Sequence, residues 1–242
     1  MEQLNDISAI IALTMGVAWA SGINLYATIA MLGYLGITGN IDLPAGLEVL
    51  ENPLVIGAAG FMYCVEFFAD KTPGVDTGWD AMHTFIRIPA GAMLAAGAVG
   101  ELGPGVELAA AIVGGGLTAG THATKAGSRV LINTSPEPVS NWTASISEDI
   151  IVIGGLWTAL NHPWVFLGLL VLFILLMIWL LPKVWRGIKR VAAAIRNFLS
   201  GRKGEAADEE TTTVSAPPAA PVEPQSAVRH SEPPPPGPPR LS

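Results

Sequence analysis

The chain is poor in charge, in cations above all. Only 14% of its 242 residues are charged and 50% are apolar, whereas soluble domains carry about 25% charged residues. Residues 1–182 contain fourteen acids but only four cations, which are Lys71, Arg87, Lys125 and Arg129. Since so little charge cannot coat a soluble globule, the composition excludes a soluble domain and predicts an integral membrane protein.

The sequence also lacks a second cysteine and a basic N-terminal segment, and each absence excludes a class of protein. Cys64 is the only cysteine, which excludes a disulfide framework. The first seven residues, MEQLNDI, are acidic, whereas the start of a signal peptide is basic. We therefore expect the first apolar segment to stay in the membrane as a helix.

Long apolar runs are what the sequence does contain. A spanning helix needs roughly 20 mostly apolar residues, and six segments approach this length: 7–36, 53–70, 79–100, 106–130, 149–161 and 163–182. The last two meet at NHP (161–163), which predicts a tight turn. Because the third and fourth segments are polar over one half, a four-helix arrangement with two shallow segments is the alternative.

The positions of the cations favour six spans. With six spans, residues 71–87, residues 125–148 and the C-terminus lie on one side, and these parts hold all thirteen Lys and Arg residues. The opposite loops, 37–52 and 101–105, hold acids but no cation. Cations concentrate in cytoplasmic loops, so both termini are predicted to be cytoplasmic.

Two short segments recur along the chain. LVIGAAG (54–60) resembles IVIGGLW (151–157), and ASGINLY (20–26) resembles TAGTHAT (118–124). The membrane domain, 1–182, is thus predicted as two repeats, 7–100 and 106–182. Three spans per repeat require the second copy to be inverted, as is typical of secondary transporters. The alternative is chance recurrence of small and β-branched residues.

The C-terminal part changes composition abruptly. Residues 183–203 contain seven cations and apolar residues at near-helical spacing, which predicts a basic amphipathic helix on anionic cytoplasmic lipid. The alternative is a helix that continues the last span. Residues 204–242 are Pro-rich and acidic, which predicts a disordered tail. The predicted fold class is therefore all-α and integral to the membrane, with six transmembrane helices, an amphipathic helix and this tail.

The first dense polar stretch is EFFADKTPGVDTGWDAMHTFIR, residues 66–87. TGWD matches a capping box with Thr77 as N-cap, which predicts a helix that begins near Gly78. Arg87 lies about two turns into that helix, where a charge is expensive unless it is paired. We expect Asp80 or Asp76 as its partner ahead of Glu66. The polar stretch forms either a site or gate, or a structural ion pair.

The second polar stretch, residues 114–142, begins with Gly116 and Gly120 at a spacing that allows close helix approach. His122, Lys125 and Arg129 follow on one face. Hydroxyls and two cations favour an anion-binding face, with Lys125 nearer the aqueous edge. The alternative is an anchor at the lipid headgroups.

Both polar stretches are predicted to meet across one cytoplasmic vestibule. The candidate substrate-binding residues are Asn24, Tyr26, Arg87, Thr121, His122, Lys125 and Arg129. The candidates for proton coupling or gating are Glu66, Asp70, Asp76, Asp80 and His83. No metal, cofactor or nucleic acid is expected.

Three motifs, ASGINLYAT, FFADKTPGVDTGWDAMHTFIR and THATKAGSRVLINTSPEPVSNW, resemble those of a bacterial membrane family known as domain of unknown function 4126. The resemblance covers roughly residues 7–182. It implies a bacterial inner-membrane location and supports the polar positions, but it implies no activity.

The function favoured by these patterns is a transporter or channel-like carrier for a polar, anionic solute or a lipid headgroup, with proton coupling as an option. The alternatives are a membrane scaffold and a membrane-embedded enzyme with a His and carboxylate site, so enzymatic activity stays open. Anionic phospholipid is the expected partner at the cytoplasmic face, and a homo-oligomer is left open.

Overall fold

A computed structural model describes residues 2–72, 74–132 and 138–214, and within these ranges the chain is helical, without strands. The helices are α1 (Glu2–Ile37), α2 (Pro53–Ala69), α3 (Val75–Gly97), α4 (Pro104–Ile132), α5 (Pro138–Asn161) and α6 (Pro163–Val214). Short 3-10 turns lie at Glu48–Glu51 and Gly100–Leu102. The predicted all-α class is confirmed, and so is the turn between α5 and α6.

Three helices are long and apolar enough to cross a membrane: Gln3–Ile37, Trp142–Asn161 and Pro163–Arg190. Pro53–Ala69 is apolar but shorter. Helices α3 and α4, of 23 and 29 residues, are about 34 and 44 Å long at the usual rise of about 1.5 Å per residue. They are long enough for a hydrocarbon core of about 30 Å but carry more charge. Six spans therefore stay a prediction.

Helix α3 begins earlier than its predicted capping box. Gly74 is the N-cap residue, with φ of 86°, a conformation that suits glycine. The Asp76 carboxylate accepts from the backbone N–H groups of Gly74, at 2.9 Å, and Thr77, at 2.6 Å. The expectation that Thr77 is the N-cap and that the helix begins near Gly78 is wrong, because Asp76 satisfies these donors one turn earlier.

Helix α1 is the centre of the bundle and packs against α2, α3, α4 and α5. Gly22 permits the close contact with α4, since a Cβ there would lie 2.7 Å from both the Thr118 carbonyl oxygen and the Thr121 Cβ. The predicted role of Gly116 in close packing is wrong, because no heavy atom lies within 4 Å of a Cβ at that position. A Cβ at Gly120 would instead meet Met177 of α6, at 2.9 Å.

The glycines that the predicted repeat pairs with each other are similar in their surroundings for one pair but not for the other. Gly22 packs against the segment of α4 that contains Gly120. Gly57 and Gly154 both have open space where a Cβ would lie. These contacts do not establish the symmetry relation, so the inverted repeat stays a prediction.

The C-terminal part of α6 is helical without interruption to Val214. The basic amphipathic helix 183–203 and its alternative, a continuation of the last span, both stay predictions. The chain divides into compact units at Met1–Ala194 and Ile195–Ser242. Residues 215–242, which contain most of the predicted tail, lie outside the described residues. Lipid binding and tail disorder stay predictions.

Candidate functional site: a buried charge network at a broken helix

Helix α1 is broken at Asn24. The Asn24 backbone is extended there, with φ of −145° and ψ of 97°, so α1 consists of two helical halves. The Asn24 Oδ1 atom accepts from the Ala27 N–H at 3.0 Å, which caps the second half in the manner of an N-cap asparagine. The Asn24 Nδ2 atom donates to Asp149 of α5 at 3.1 Å. The break is thus fixed both by its own side chain and by a neighbouring helix.

Lys125 of α4 binds the end of the first half of α1. Its Nζ donates to the Ile23 carbonyl oxygen at 3.0 Å. A helix C-terminus carries partial negative charge, so an ammonium group there is favourable. The Thr28 hydroxyl donates to the Asn24 carbonyl at 2.8 Å. Carbonyl groups next to the break therefore have donors from inside the bundle.

Seven charged side chains meet around this break, and we refer to them as the charge network. The members are the cations Arg87, Lys125 and Arg129 and the carboxylates Glu66, Asp70, Asp80 and Glu148. They come from α2, α3, α4 and α5, with Asp70 as the C-cap of α2. The two polar stretches of the sequence therefore meet, as predicted.

Lys125 is the centre of the charge network. Its Nζ lies 2.9 Å from Asp70, 3.2 Å from Glu66, 3.4 Å from Glu148 and 3.9 Å from Asp80. The Lys125 side chain is only 3% exposed, so its predicted position near the aqueous edge is wrong. The side chains are in direct contact here, and an open vestibule does not separate the two stretches.

Arg87 has no exposed side-chain surface and pairs with two carboxylates, Glu66 and Asp80. Asp80 lies 3.4 Å away and is a partner as predicted, but Glu66 is nearer. The predicted preference for Asp80 or Asp76 over Glu66 is therefore wrong in its order. Glu66 reaches Arg87 from the adjacent helix α2, whereas Asp76 caps α3.

Arg129 closes the charge network next to α5. Its Nε and NH2 groups donate to the two oxygens of Glu148, at 3.2 and 2.7 Å, a bidentate geometry that strengthens the pair. Its NH1 group donates to the Asp70 carbonyl at 2.8 Å. The Arg129 side chain is fully buried, so the headgroup-anchor alternative is wrong for this residue.

Hydrogen bonds fix the tautomers of both histidines. Arg87 NH1 lies 3.3 Å from Nδ1 of His122, and since a guanidinium only donates, this nitrogen accepts. The His122 Nε2 then carries the hydrogen and donates to the Asp80 carbonyl at 3.1 Å. His83 donates from Nδ1 to the Trp79 carbonyl at 2.9 Å and accepts at Nε2 from Tyr26, at 3.0 Å. The His122 ring is therefore neutral in this arrangement, and so is His83 when the Tyr26 hydroxyl donates to it.

Several buried polar atoms are left over. Within the described part of the chain, no hydrogen-bond partner is found for one oxygen each of Glu66, Asp70 and Asp80, or for the Thr121 hydroxyl. Thr121 is 1% exposed and lies against Gly22 near the break. An unpaired buried polar atom costs about 1–3 kcal/mol, so burial of these atoms is unfavourable in this arrangement.

Sequence analysis missed the contribution of α5. Glu148 pairs with Arg129, and Asp149 receives the Asn24 amide. Ser145 accepts from Lys71 Nζ at 3.2 Å. The available signal was the pair Glu148–Asp149, two adjacent acids at the start of an otherwise apolar segment.

Lys71, between α2 and α3, borders the charge network. Its ammonium group lies 2.9 Å from the centroid of the Phe67 ring and donates to the Phe67 carbonyl at 3.2 Å. Burial lowers the pKa of Lys71 from its ordinary value, an effect that the nearby carboxylates Asp149 and Asp70 partly oppose. The direct contacts of the Lys71 ammonium group are therefore aromatic and neutral polar groups, and the carboxylates act from a greater distance.

Membrane-length helices around a buried charge network define this chain as a helical membrane protein. It belongs to the family described as Domain of unknown function (DUF4126), whose model matches residues 11–183. This confirms the resemblance seen in the sequence, and the matched range includes the whole charge network. No curated protein and no solved structure matches the chain.

Proposed function

We propose that the chain is a small membrane transporter that carries a polar solute past the break in α1. The observation that supports this function is the contact between the ends of the two half-helices and side chains of other helices. Lys125 binds the Ile23 carbonyl, and Asp149 binds Asn24. Solute and ion sites of secondary transporters are formed by such discontinuous helices.

The energetics favour a functional over a purely structural network. Buried ion pairs are often no more stabilising than apolar side chains of similar volume, and charges at membrane depth mark transport pathways and relays. Lys125 has four carboxylates within 2.9–3.9 Å. It can therefore exchange one partner for another through small movements, as a gate requires.

The charge balance favours a cationic or neutral polar solute over the anionic one expected from sequence. Four carboxylates surround three cations, and each cation already contacts at least one carboxylate. An anion has to displace these partners, whereas an ammonium group meets an excess of acid whenever no proton is bound to the charge network. In this proposal Arg87, Lys125 and Arg129 act in gating. Asn24, Tyr26 and Thr121 stay the candidates for solute contact.

The proposal includes six spans, with both termini in the cytoplasm at the inner membrane. Glu48 and Thr72 are exposed and lie in segments that this topology places on opposite sides. Single cysteines at these positions in a Cys64→Ala background should react with an impermeant thiol reagent from opposite sides. Reaction from the same side contradicts the six-span topology.

Flux through proteoliposomes tests the transporter function. Purified protein is assayed with labelled amines, amino acids, sugars, carboxylates and phosphate. We expect flux of a cationic or neutral polar solute, and its loss in Asp70→Asn, which removes charge from the partner of Lys125 and Arg129. Leu108→Ala, at an exposed apolar position of α4, is the control. Absence of flux for all solutes, or flux unchanged in Asp70→Asn, contradicts the proposal.

A second comparison separates a transporter from a scaffold. Removal of residues 195–242 deletes the second compact unit and leaves the charge network intact. A transporter keeps its flux after this truncation, whereas a scaffold that recruits partners through its C-terminal part loses its function. Loss of flux in a well-folded truncated protein argues against the transporter.

A further inference from the structure

We infer that the charge network holds one exchangeable proton, and that Asp80 is the group that binds it. This inference names the coupling ion of the proposed transporter and to that extent rests on that function. The proton site itself is defined by geometry alone, so it is testable without any transport assay.

The first argument is electroneutrality. The charge network contains four carboxylates and three cations. Adding the neighbouring charges of Lys71 and Asp149 leaves the same excess of one acid. A net charge buried in a low-dielectric interior is expensive, and such groups neutralise by taking up a proton. One bound proton makes the charge network neutral.

The second argument concerns the unpaired oxygens. Among residues 2–72, 74–132 and 138–214, one oxygen each of Glu66, Asp70 and Asp80 is buried without a hydrogen-bond partner. A metal ion needs several such ligands around one point. Over the same described ranges no group of three or more His, Cys, Asp or Glu residues is placed to hold a metal. A proton needs a single oxygen, so the arrangement suits a proton.

Distances to the cations select Asp80. Glu66, Asp70 and Glu148 each have a cation within 3.2 Å. The cations nearest to Asp80 are Arg87, at 3.4 Å, and Lys125, at 3.9 Å. Since Coulomb attraction falls with distance, the carboxylate of Asp80 is the least stabilised in its ionised form.

The groups that face Asp80 from the surrounding helices agree with this assignment. They are Asp70 at the end of α2, Arg87 from α3, His122 and Lys125 from α4, and Glu148 from α5, with Glu66 sharing both cations and His83 one turn along α3. His122 accepts from Arg87 and cannot take a proton while that bond exists. His83 can take one only if the Tyr26 hydroxyl turns to accept.

The proposed cycle moves one proton and changes one ion pair. A proton from water on one side adds to the free Oδ2 of Asp80, and the attraction between Asp80 and Arg87 weakens. Arg87 keeps Glu66 and His122 as partners. Release of the proton to water on the other side restores the Asp80 charge and its attraction for Arg87.

Infrared spectroscopy of the purified full-length protein tests the proton site. We expect a band from a protonated carboxylic acid at neutral pH that shifts with ¹³C-aspartate but not with ¹³C-glutamate labelling. The band should be lost in Asp80→Asn, which should unfold at the same temperature as wild type. Glu107→Gln, at an exposed acid on α4, is the control and should keep the band.

The other outcomes separate the two proposals. Absence of the band, a shift with labelled glutamate, or its persistence in Asp80→Asn overturns the proton site. The proton site is also overturned if Asp80→Asn destabilises the protein as much as Glu66→Gln does. Asp80 would then be a fully charged partner of the cations. Lack of solute flux with the band present and assigned to Asp80 contradicts the transporter and leaves the proton site intact.

Discussion

Trp19 and Lys125 lie on neighbouring helices of one bundle, yet their surroundings have little in common. Trp19 packs edge-on against Phe166 and Phe173 of α6, with ring centroids 5.9 and 6.0 Å apart. Lys125 lies 2.9–3.9 Å from four carboxylates and donates to a helix carbonyl. One region is an apolar core, and the other is a buried set of charges.

The two regions differ in whether lipid can replace the contacts that their side chains make within the protein. Lipid tails are as apolar as leucine, so they can substitute for many contacts of the kind that Trp19 makes. Nothing in the hydrocarbon core substitutes for the partners of Lys125. The apolar core should therefore tolerate changes of shape, whereas a change in the charge network should leave a charge without its partner.

The largest expected effect follows replacement of Arg87. Arg87→Met leaves Glu66 and Asp80 without their closest shared cation and should lower the free energy of unfolding by about 3–5 kcal/mol, the usual cost of breaking a buried pair. Leu156→Met, at a buried position of the apolar core, should cost less than about 1.5 kcal/mol. Both are measured by unfolding in mixed detergent micelles.

A compensating variant sharpens this comparison. Arg87→Met combined with Glu66→Gln removes both charges of the closest pair, so it should recover part of the stability lost in Arg87→Met alone. If Arg87→Met costs no more than Leu156→Met, or the second change gives no recovery, the charge network is not a set of mutually dependent pairs.

A smaller effect is expected at the contact between α1 and α4. Gly22→Ala places a Cβ 2.7 Å from the Thr118 carbonyl oxygen and the Thr121 Cβ, so the helices must separate, at a cost of about 1–3 kcal/mol. Gly57→Ala, where no atom lies within 4 Å, should be neutral or slightly stabilising. Equal stability of the two variants would mean that α1 and α4 adjust freely.

The smallest effect is the pH dependence contributed by Lys71. Burial lowers its pKa in the folded state below the ordinary 10.5. Below the lowered pKa, Lys71 is protonated in both states and its burial cost is constant. Between that pKa and 10.5 the unfolded chain holds more protons, so the free energy of unfolding rises with pH. Lys71→Met should flatten this rise, whereas Lys189→Met, at an exposed cation, should not.

Sequence patterns predicted the helices well because apolar runs and Pro or Gly boundaries determine them locally. The α5–α6 turn at Asn161 and Pro163 is an example. The start of α3 was missed because Gly74 and Asp76 provide the cap, a choice that TGWD alone does not reveal. The break at Asn24 was missed because one asparagine in an apolar run does not specify an extended backbone.

The sequence predicted which residues belong to the candidate site better than it predicted which of them contact one another. Charges in an apolar chain must meet, which places Glu66, Asp80, Arg87 and Lys125 together. Which carboxylate meets which cation depends on helix rotation and crossing, and the sequence does not encode these as a local pattern. Glu148 was missed for the same reason, since its role depends on the contact between α5 and Arg129.

Access of water to the break in α1 is the most direct test of the transporter. Thr121 is 1% exposed, and its hydroxyl has no hydrogen-bond partner in the described part of the chain, so Thr121→Cys in a Cys64→Ala background breaks no such bond. A transporter opens this position to each side in turn, and the cysteine should react with an impermeant thiol reagent added from either face of the membrane. Reaction only after unfolding would show a static structural network and contradict the account.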